Sequence, residues 1–357
     1  MDAARLRAEF PVFERVAYLN AGTCGPLPAA ARRAVDEVVD LAEVDGRRGA
    51  YHDRHLALQD RQREAYAALL GARVEDVALT TSTSEGIGRV LAGLDLGPGD
   101  EVLTSDAEHP GLLGPLLGAR QRSGIAIRTA PLAELPDHVG ERTRLIACSH
   151  VGWVSGDVAP ALDGDVPVLL DGAQGVGAVP VDVAALGCAF YAGSGQKWLC
   201  GPVGTGMLYV AAEWQERLTP TAYAYPSYED SSRALDPDAL HRGARRFDAS
   251  ARPPELEAAA LAALDVLAGF GWDRVHERAR SLAARLAERL AAEAGRTVAP
   301  RGDTTLVAWA EPDPPAACDR LAAAGVAVRH LPGTSLVRAS VGAWNDDGDL
   351  DALLSAL

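Results

Sequence analysis

Residues 166–174 read Val-Pro-Val-Leu-Leu-Asp-Gly-Ala-Gln, and residues 189–198 read Ala-Phe-Tyr-Ala-Gly-Ser-Gly-Gln-Lys-Trp. The run Val166–Leu170 is apolar without alternation, as a strand covered on both faces of a sheet should be. It ends on Asp171, and a carboxylate ending a buried strand is costly unless it meets a cation. The second stretch reads as a strand over Ala189–Ala192 that ends in a turn carrying Lys197. Outward from this pair, strands are expected at Val77–Thr80, Glu101–Thr104, Ile125–Ile127, Leu145–Cys148 and Gly206–Val210, with helices over Glu85–Leu94 and Leu112–Arg122. Ser82, Thr83 and Ser84 are the cap candidates for the first helix. Strand, helix, strand repetition predicts an α/β domain with a mostly parallel sheet.

Beyond a loop-rich connector over Leu218–Arg245 the pattern changes. Pro254 to about Ala294 has helical periodicity, broken near Gly269-Phe270-Gly271. Strands are expected at Thr305–Ala308 and Val326–Arg329, followed by the segment Ser335–Ser340 and a terminal helix from Asp347. The expected organisation is an N-terminal segment over 1–14, a large domain over 15–250 and a small C-terminal α+β domain over 251–357.

The chain has 357 residues, 48% of them apolar, which is globular composition. A formal charge of −15 with no basic block makes nucleic acid and anionic membranes poor partners. No apolar run approaches the ~20 residues a bilayer needs. Met1 to Leu6 has no apolar signal core, and the five cysteines are scattered without a CxxC. Both observations lead us to expect a cytoplasmic protein without disulfides.

Of the 34 basic residues, 33 are Arg and one, Lys197, is Lys. Arg can replace most surface cations, but not a neutral nucleophilic amine, because guanidinium stays protonated. The ends of parallel strands are where α/β sheets gather ligand groups. One end here carries hydroxyls at a helix N-terminus (Thr83, Ser84), a setting that favours phosphate. Others carry His109, Asp171 with Gln174, and Ser194, Gln196 and Lys197. One cofactor needs all of these. Pyridoxal 5'-phosphate forms a Schiff base with an amine. It uses a carboxylate to keep its ring nitrogen protonated, and it needs an anion site and a flat group against the ring.

The segments DGAQ (171–174) and SGQKW (194–198), within a match from Tyr18-Leu19-Asn20 to Trp344-Asn345, resemble the class V aminotransferase family. That is the fold type I group containing cysteine desulfurases, isopenicillin N epimerase-like proteins and cystine C–S lyases. The resemblance implies roles: Lys197 as Schiff-base lysine and acid/base, Asp171 on the ring nitrogen, Gln174 on the ring hydroxyl, and His109 against the ring. It also implies that Thr83, Ser84, Ser194 and Gln196 hold the phosphate; Gln196 stands where many relatives have His. Arg338, in LVRASVGAWN, matches the arginine that grips a substrate carboxylate, a task suited to its bidentate fork. Trp153 and Asn20 are the further substrate contacts, and loops Gly46–His55 and Tyr223–Tyr228 are expected to shape the pocket. Arg246–Ser250 resembles the stretch that reaches a partner's phosphate, so a homodimer with composite sites is implied, although Ala251 lacks the usual hydroxyl.

Desulfurases place a nucleophilic Cys on a mobile loop before the carboxylate-gripping arginine. Here Arg329–Ser335 has no Cys. Cys24 and Cys200 read as packing residues. The expected reaction is therefore β-elimination on cystine, cysteine or a cysteine S-conjugate by a C–S lyase. The alternatives are an aminotransferase or an amino-acid epimerase of the same fold and, distantly, a metal-dependent hydrolase built on Asp106, His109, His150 and Asp171.

Overall fold

Seven strands build the central sheet of the computed structural model, which describes residues 1–162, 164–248 and 252–357. A short helix, α1 (Ala3–Ala8), and strand β1 (Ala17–Tyr18) open the chain, followed by two long helices, α2 (Ala29–Val44) and α3 (Gly49–Leu70). The sheet is then laid down as β2 (Val77–Thr80), α4 (Thr83–Gly93), β3 (Glu101–Ser105), α5 (Pro110–Ser123), β4 (Ala126–Ala130), β5 (Thr143–Ser149), β6 (Val168–Asp171), β7 (Phe190–Ser194) and β8 (Gly206–Val210). Its order is β2-β8-β7-β6-β5-β3-β4, and only β8 runs against the rest. The mostly parallel α/β sheet expected from the apolar runs is present. All residues of β6 are buried, and the sheet is covered by one apolar cluster around Leu79, Ile146, Leu170 and Met207 and another around Ile87, Val102, Leu169 and Phe190.

Helices α6 (Pro254–Phe270) and α7 (Trp272–Ala292) meet at Gly271, whose φ of 98° is left-handed and suits glycine. They lead to β9 (Leu306–Ala310), α8 (Pro314–Ala323), β10 (Val326–Ala327), β11 (Arg329–His330), β12 (Leu336–Ser340) and α9 (Asp347–Ala356). Strands β11, β12 and β9 form a three-stranded antiparallel sheet, and β10 pairs in parallel with β1.

Three local expectations are corrected. Helix α4 begins at Thr83, not Glu85, because Ser82 is its N-cap and its hydroxyl accepts from the Glu85 N–H at 3.2 Å. The single strand expected over Val326–Arg329 is two, because β10 pairs with β1 while β11 turns to β12. The loop expected over Gly46–His55 is helical from Gly49 onward, as the first turns of α3.

Candidate active site

The carboxyl ends of β2, β3, β5, β6 and β7 point the same way, and the start of the reversed strand β8 lies among them. Side chains far apart in sequence are therefore gathered at one edge. Thr83 opens α4 after β2, His109 is the N-cap of α5 after β3, and Trp153 follows β5. Asp171 is the last residue of β6, and Ser194 the last of β7, with Lys197 on the turn beyond.

Three atoms at this edge are buried without a hydrogen-bond partner among the described residues: Thr83 Oγ1, Ser194 Oγ and Gln196 Oε1. Orphaned buried polar atoms are rare in native proteins and call for a missing partner. Thr83 adds the free N–H groups and positive dipole end of α4. Ser84 is exposed, and its hydroxyl lies 2.9 Å from where a Cβ on Gly111 would stand, so the first turns of α4 and α5 converge. This donor set fits the phosphate of the expected cofactor.

Lys197 is half-buried, and burial pushes its amine down to about 8. Asp171 opposes that shift, while Arg338 and Arg329 deepen it. Asp171 is buried and its carboxyl is raised by burial, against the pull of Lys197; its Oδ1 accepts from the Ala173 N–H at 2.9 Å. The turn holding the lysine is tightly tied: the Gly25 N–H donates to the Gln196 carbonyl at 2.7 Å and the Cys200 N–H to the Lys197 carbonyl at 3.1 Å. Cys200 is buried with φ 55°, a left-handed conformation uncommon outside glycine. It is part of the turn's frame, as expected of a packing residue.

His109 is pushed down to about 4 by burial, then by Lys197, Arg329 and Arg338, so its ring is neutral at physiological pH. Its Nδ1 accepts from the Gly111 N–H at 2.9 Å, which leaves the proton on Nε2. Trp153 meets this ring edge-on at 5.1 Å, and its indole N–H donates to the Ala107 carbonyl at 3.0 Å. Arg338 is fully buried; it donates to the Trp153 carbonyl, while its Nε and Nη2 have no partner among the described residues. Burial and then Arg329 push its guanidinium down to about 9. It stays cationic at neutral pH, held in a setting that favours an incoming anion.

The loop Asn20–Gly25 closes one side. The Asn20 side-chain oxygen accepts from the Thr23 hydroxyl at 2.7 Å, and Asn20 bridges to Ser340 beside Arg338. Gln174 is clamped: its amide donates to the Gly22 carbonyl at 2.8 Å and its oxygen accepts from the Trp198 indole at 3.0 Å. One amide hydrogen remains for a ring hydroxyl.

Sequence reasoning missed Arg329. It is the direct cross-strand partner of Arg338, and Pro332-Gly333 was the turn signal that would have exposed the pairing. Glu108, Gly22 and Ser340 were missed as well. The set proposed for a metal does not assemble, since no three His, Cys, Asp or Glu side chains among the described residues come together to hold an ion. His150 instead faces the Tyr191 hydroxyl at 3.0 Å. In the stretch expected to reach a partner, Ala249, Ser250 and Ala251 lie outside the described residues. Asp248, which precedes them, is buried against Arg63 at 2.7 Å and the Leu79 N–H at 2.9 Å. No helix is long and apolar enough to cross a membrane among the described residues.

The sequence matches the aminotransferase class V family model over residues 18–353. It is 34% identical to isopenicillin N epimerase of Amycolatopsis lactamdurans, over 80% of this chain and 78% of that one. It is 29% identical to cysteine desulfurase CsdA of Escherichia coli, over 100% and 97%. Two solved structures of C-DES superpose closely at 26% identity. One, a mutant with glycine covalently linked to the PLP cofactor, gives a TM-score of 0.92 over 98% of both chains. The other, the cystine C–S lyase with its reaction product cysteine persulfide, gives 0.90 over 97% and 98%.

Proposed function

The chain belongs to the class V aminotransferase family and is a pyridoxal phosphate-dependent enzyme, and we propose that it is a C–S lyase acting by β-elimination on cystine or a related cysteine derivative. The observation that carries this reading is the opposed pair Arg329 and Arg338. Two like charges directly across a ladder are unfavourable unless something between them compensates. A substrate with two carboxylates does so, and cystine has two.

When bound, the cofactor supplies an electron sink that makes the substrate Cα–H acidic. Lys197 is the residue that would anchor it, and Nζ is the atom that would take the substrate's Cα proton. An amine held near 8 by burial is poised for that transfer at physiological pH. Asp171 would hold the ring nitrogen's proton, and Thr83, Ser84, Ser194 and Gln196 would hold the phosphate. The neutral imidazole of His109 would supply the flat group against the ring without adding a charge to it. Arg338 and Arg329 each take a carboxylate and so align the Cα–H with Lys197. Breaking the Cβ–S bond then releases the sulfur fragment with its electron pair. Addition of one water yields pyruvate and ammonia, so atoms balance: cystine plus water gives pyruvate, ammonia and cysteine persulfide.

The compact turn between β11 and β12 supports elimination over persulfide transfer to the enzyme. The Leu331 N–H donates to the Leu336 carbonyl at 2.9 Å and the Thr334 N–H to the Leu331 carbonyl at 3.2 Å, leaving no long loop and no cysteine there. A second reading, amino-acid epimerisation, is favoured by the 34% identity to isopenicillin N epimerase. We further propose a homodimer, to which Val39, Val44, Leu56, Tyr223 and Tyr225 offer exposed apolar side chains. Purified enzyme given cystine should change its visible spectrum and release pyruvate, ammonia and persulfide in equal amounts. Exchange and inversion at Cα without pyruvate would establish the epimerase instead. Pyridoxamine phosphate accumulating with an amino donor would establish an aminotransferase.

A further inference from the structure

Beside the machinery described lies a buried carboxylate that it does not use. Glu108, immediately before His109, is 6% exposed. Its Oε1 accepts from the Ser105 hydroxyl at 2.6 Å and the Ser149 N–H at 2.9 Å, and its Oε2 bonds the Ser149 hydroxyl. Three partners from the ends of β3 and β5 thus converge on one side chain. Ser149 is in turn the cross-strand partner of Asp171. Glu108 has no ion-pair partner among the described residues.

Two buried carboxylates therefore stand near one another, with the Lys197 amine as the cation that faces Asp171; burial raises the Glu108 carboxyl and Asp171 adds to the rise, while the donors from Ser105 and Ser149 oppose it and favour the charged form. A buried charge without a cation is costly, and a fold retains one where something else gains from it. The group that gains is one carrying positive charge at the end of β6. We propose that Glu108 is a positioning residue that fixes the β3–α5 turn bearing His109 and is the second negative charge, behind Asp171, favouring the protonated ring of the bound cofactor. This rests on the cofactor assignment above and adds to it a source of field that never touches the ring.

The test is Glu108→Gln, which keeps the shape and removes the charge. The groups around the ring are Asp171, Lys197, His109, Arg329 and Arg338, with Cys148 beside Glu108. All of them remain in the variant. Cofactor-free and cofactor-loaded proteins are compared by thermal unfolding, by titration with pyridoxal phosphate followed in the visible, and by the pH dependence of that absorption band. We expect roughly tenfold weaker cofactor binding and a band that titrates about one pH unit lower, the equivalent of a tenfold loss for the protonated form. We also expect the cofactor-free variant to unfold at a higher temperature than wild type, because a buried carboxylate without a cation has lost its charge. A purely structural tie would lower affinity and thermal stability together. That result, a variant that fails to fold, or an unshifted band each overturns the proposal. Ser149→Ala, which removes one donor from the carboxylate, should shift the band in the same direction by less. Wild-type protein that takes up no pyridoxal phosphate would instead overturn the cofactor assignment.

Discussion

Arg329 and Arg338 are direct cross-strand partners on β11 and β12, so their side chains leave the ladder on the same face. They differ in depth: Arg338 is fully buried with two nitrogens unpartnered among the described residues, while Arg329 is half-buried and reaches the Thr23 hydroxyl at 3.4 Å. Depth suggests a division of labour, Arg338 for the carboxylate beside the reacting carbon and Arg329 for the distal one. Arg329→Gln should raise KM for cystine roughly 10- to 100-fold, the worth of a charge-assisted hydrogen-bond pair, and leave substrates with a single carboxylate nearly unaffected. Arg338→Gln should weaken both kinds. Equal losses on both substrates in the Arg329 variant would remove the case for a two-carboxylate substrate.

Lys197 links pH to two separate observables. Attachment of the cofactor needs the neutral amine, so the rate of reconstitution should rise tenfold per pH unit and level off above about 8. Stability should respond in the opposite sense to a salt-bridged lysine. Between about 8 and 10.5 the folded cofactor-free protein binds fewer protons at this residue than the unfolded chain, so its stability rises with pH across that window. Below it, the penalty for burying the charge is present in full. Cofactor-free Lys197→Met should therefore unfold at a higher temperature than wild type at pH 7, with the gap closing toward pH 10.5. The same variant should lose more turnover than the 10²–10⁴-fold of a general base alone, because the anchor goes with it.

His109 is neutral through the physiological range, which separates its role from that of a titrating acid. The acid limb of the kcat/KM profile should not move toward its ordinary 6.5, because the ring protonates only near 4. His109→Phe keeps a flat ring and should retain measurable turnover with weakened cofactor binding. Both variants lose the Nδ1 cap on the Gly111 N–H, and His109→Ala, which loses the flat ring as well, should bind cofactor more weakly still. Spectroscopic titration of both variants reads the difference; identical affinities would mean that the flat ring contributes nothing.

The central sheet was legible because β6 and β7 are apolar throughout and end on residues that no buried strand carries without reason, Asp171 and the Ser194–Lys197 turn. Helix α3 left no comparable mark. Gln59, Gln62 and Arg63 are polar yet buried, with Arg63 paired to Asp248 and Gln62 bonded to the Tyr66 hydroxyl. Tertiary partners thus overrode the amphipathic pattern that helix reading depends on. Glu108 was invisible for a similar reason. Its meaning lies in Ser149, 41 residues later, and only strand pairing brings the two together. Arg338 could be found through its motif, whereas Arg329 needed the register of a hairpin.

Gly22 has no free volume around its α-carbon, and that makes it a probe of the whole site. A Cβ there would stand 2.7 Å from Ser340 Oγ, 2.8 Å from Arg338 Nη2 and 3.0 Å from Gln174 Oε1. Arg338 is held by the Trp153 carbonyl and Gln174 by the Trp198 indole, so a swing of the Ser340 hydroxyl, which has no partner among the described residues, cannot by itself absorb the methyl. Gly22→Ala should displace the loop Asn20–Gly25 from Arg338. We expect KM to rise at least tenfold, with a smaller fall in kcat because Lys197 and Asp171 are untouched. Gly25→Ala is the contrasting case: its Cβ would meet the Lys197 carbonyl at 2.1 Å, so the lysine turn itself must move and kcat should fall with cofactor affinity. Steady-state kinetics and cofactor titration of the two variants separate these outcomes. A Gly22→Ala enzyme with wild-type KM would mean that the loop does not pack on Arg338 in solution, or that Arg338 does not bind the substrate.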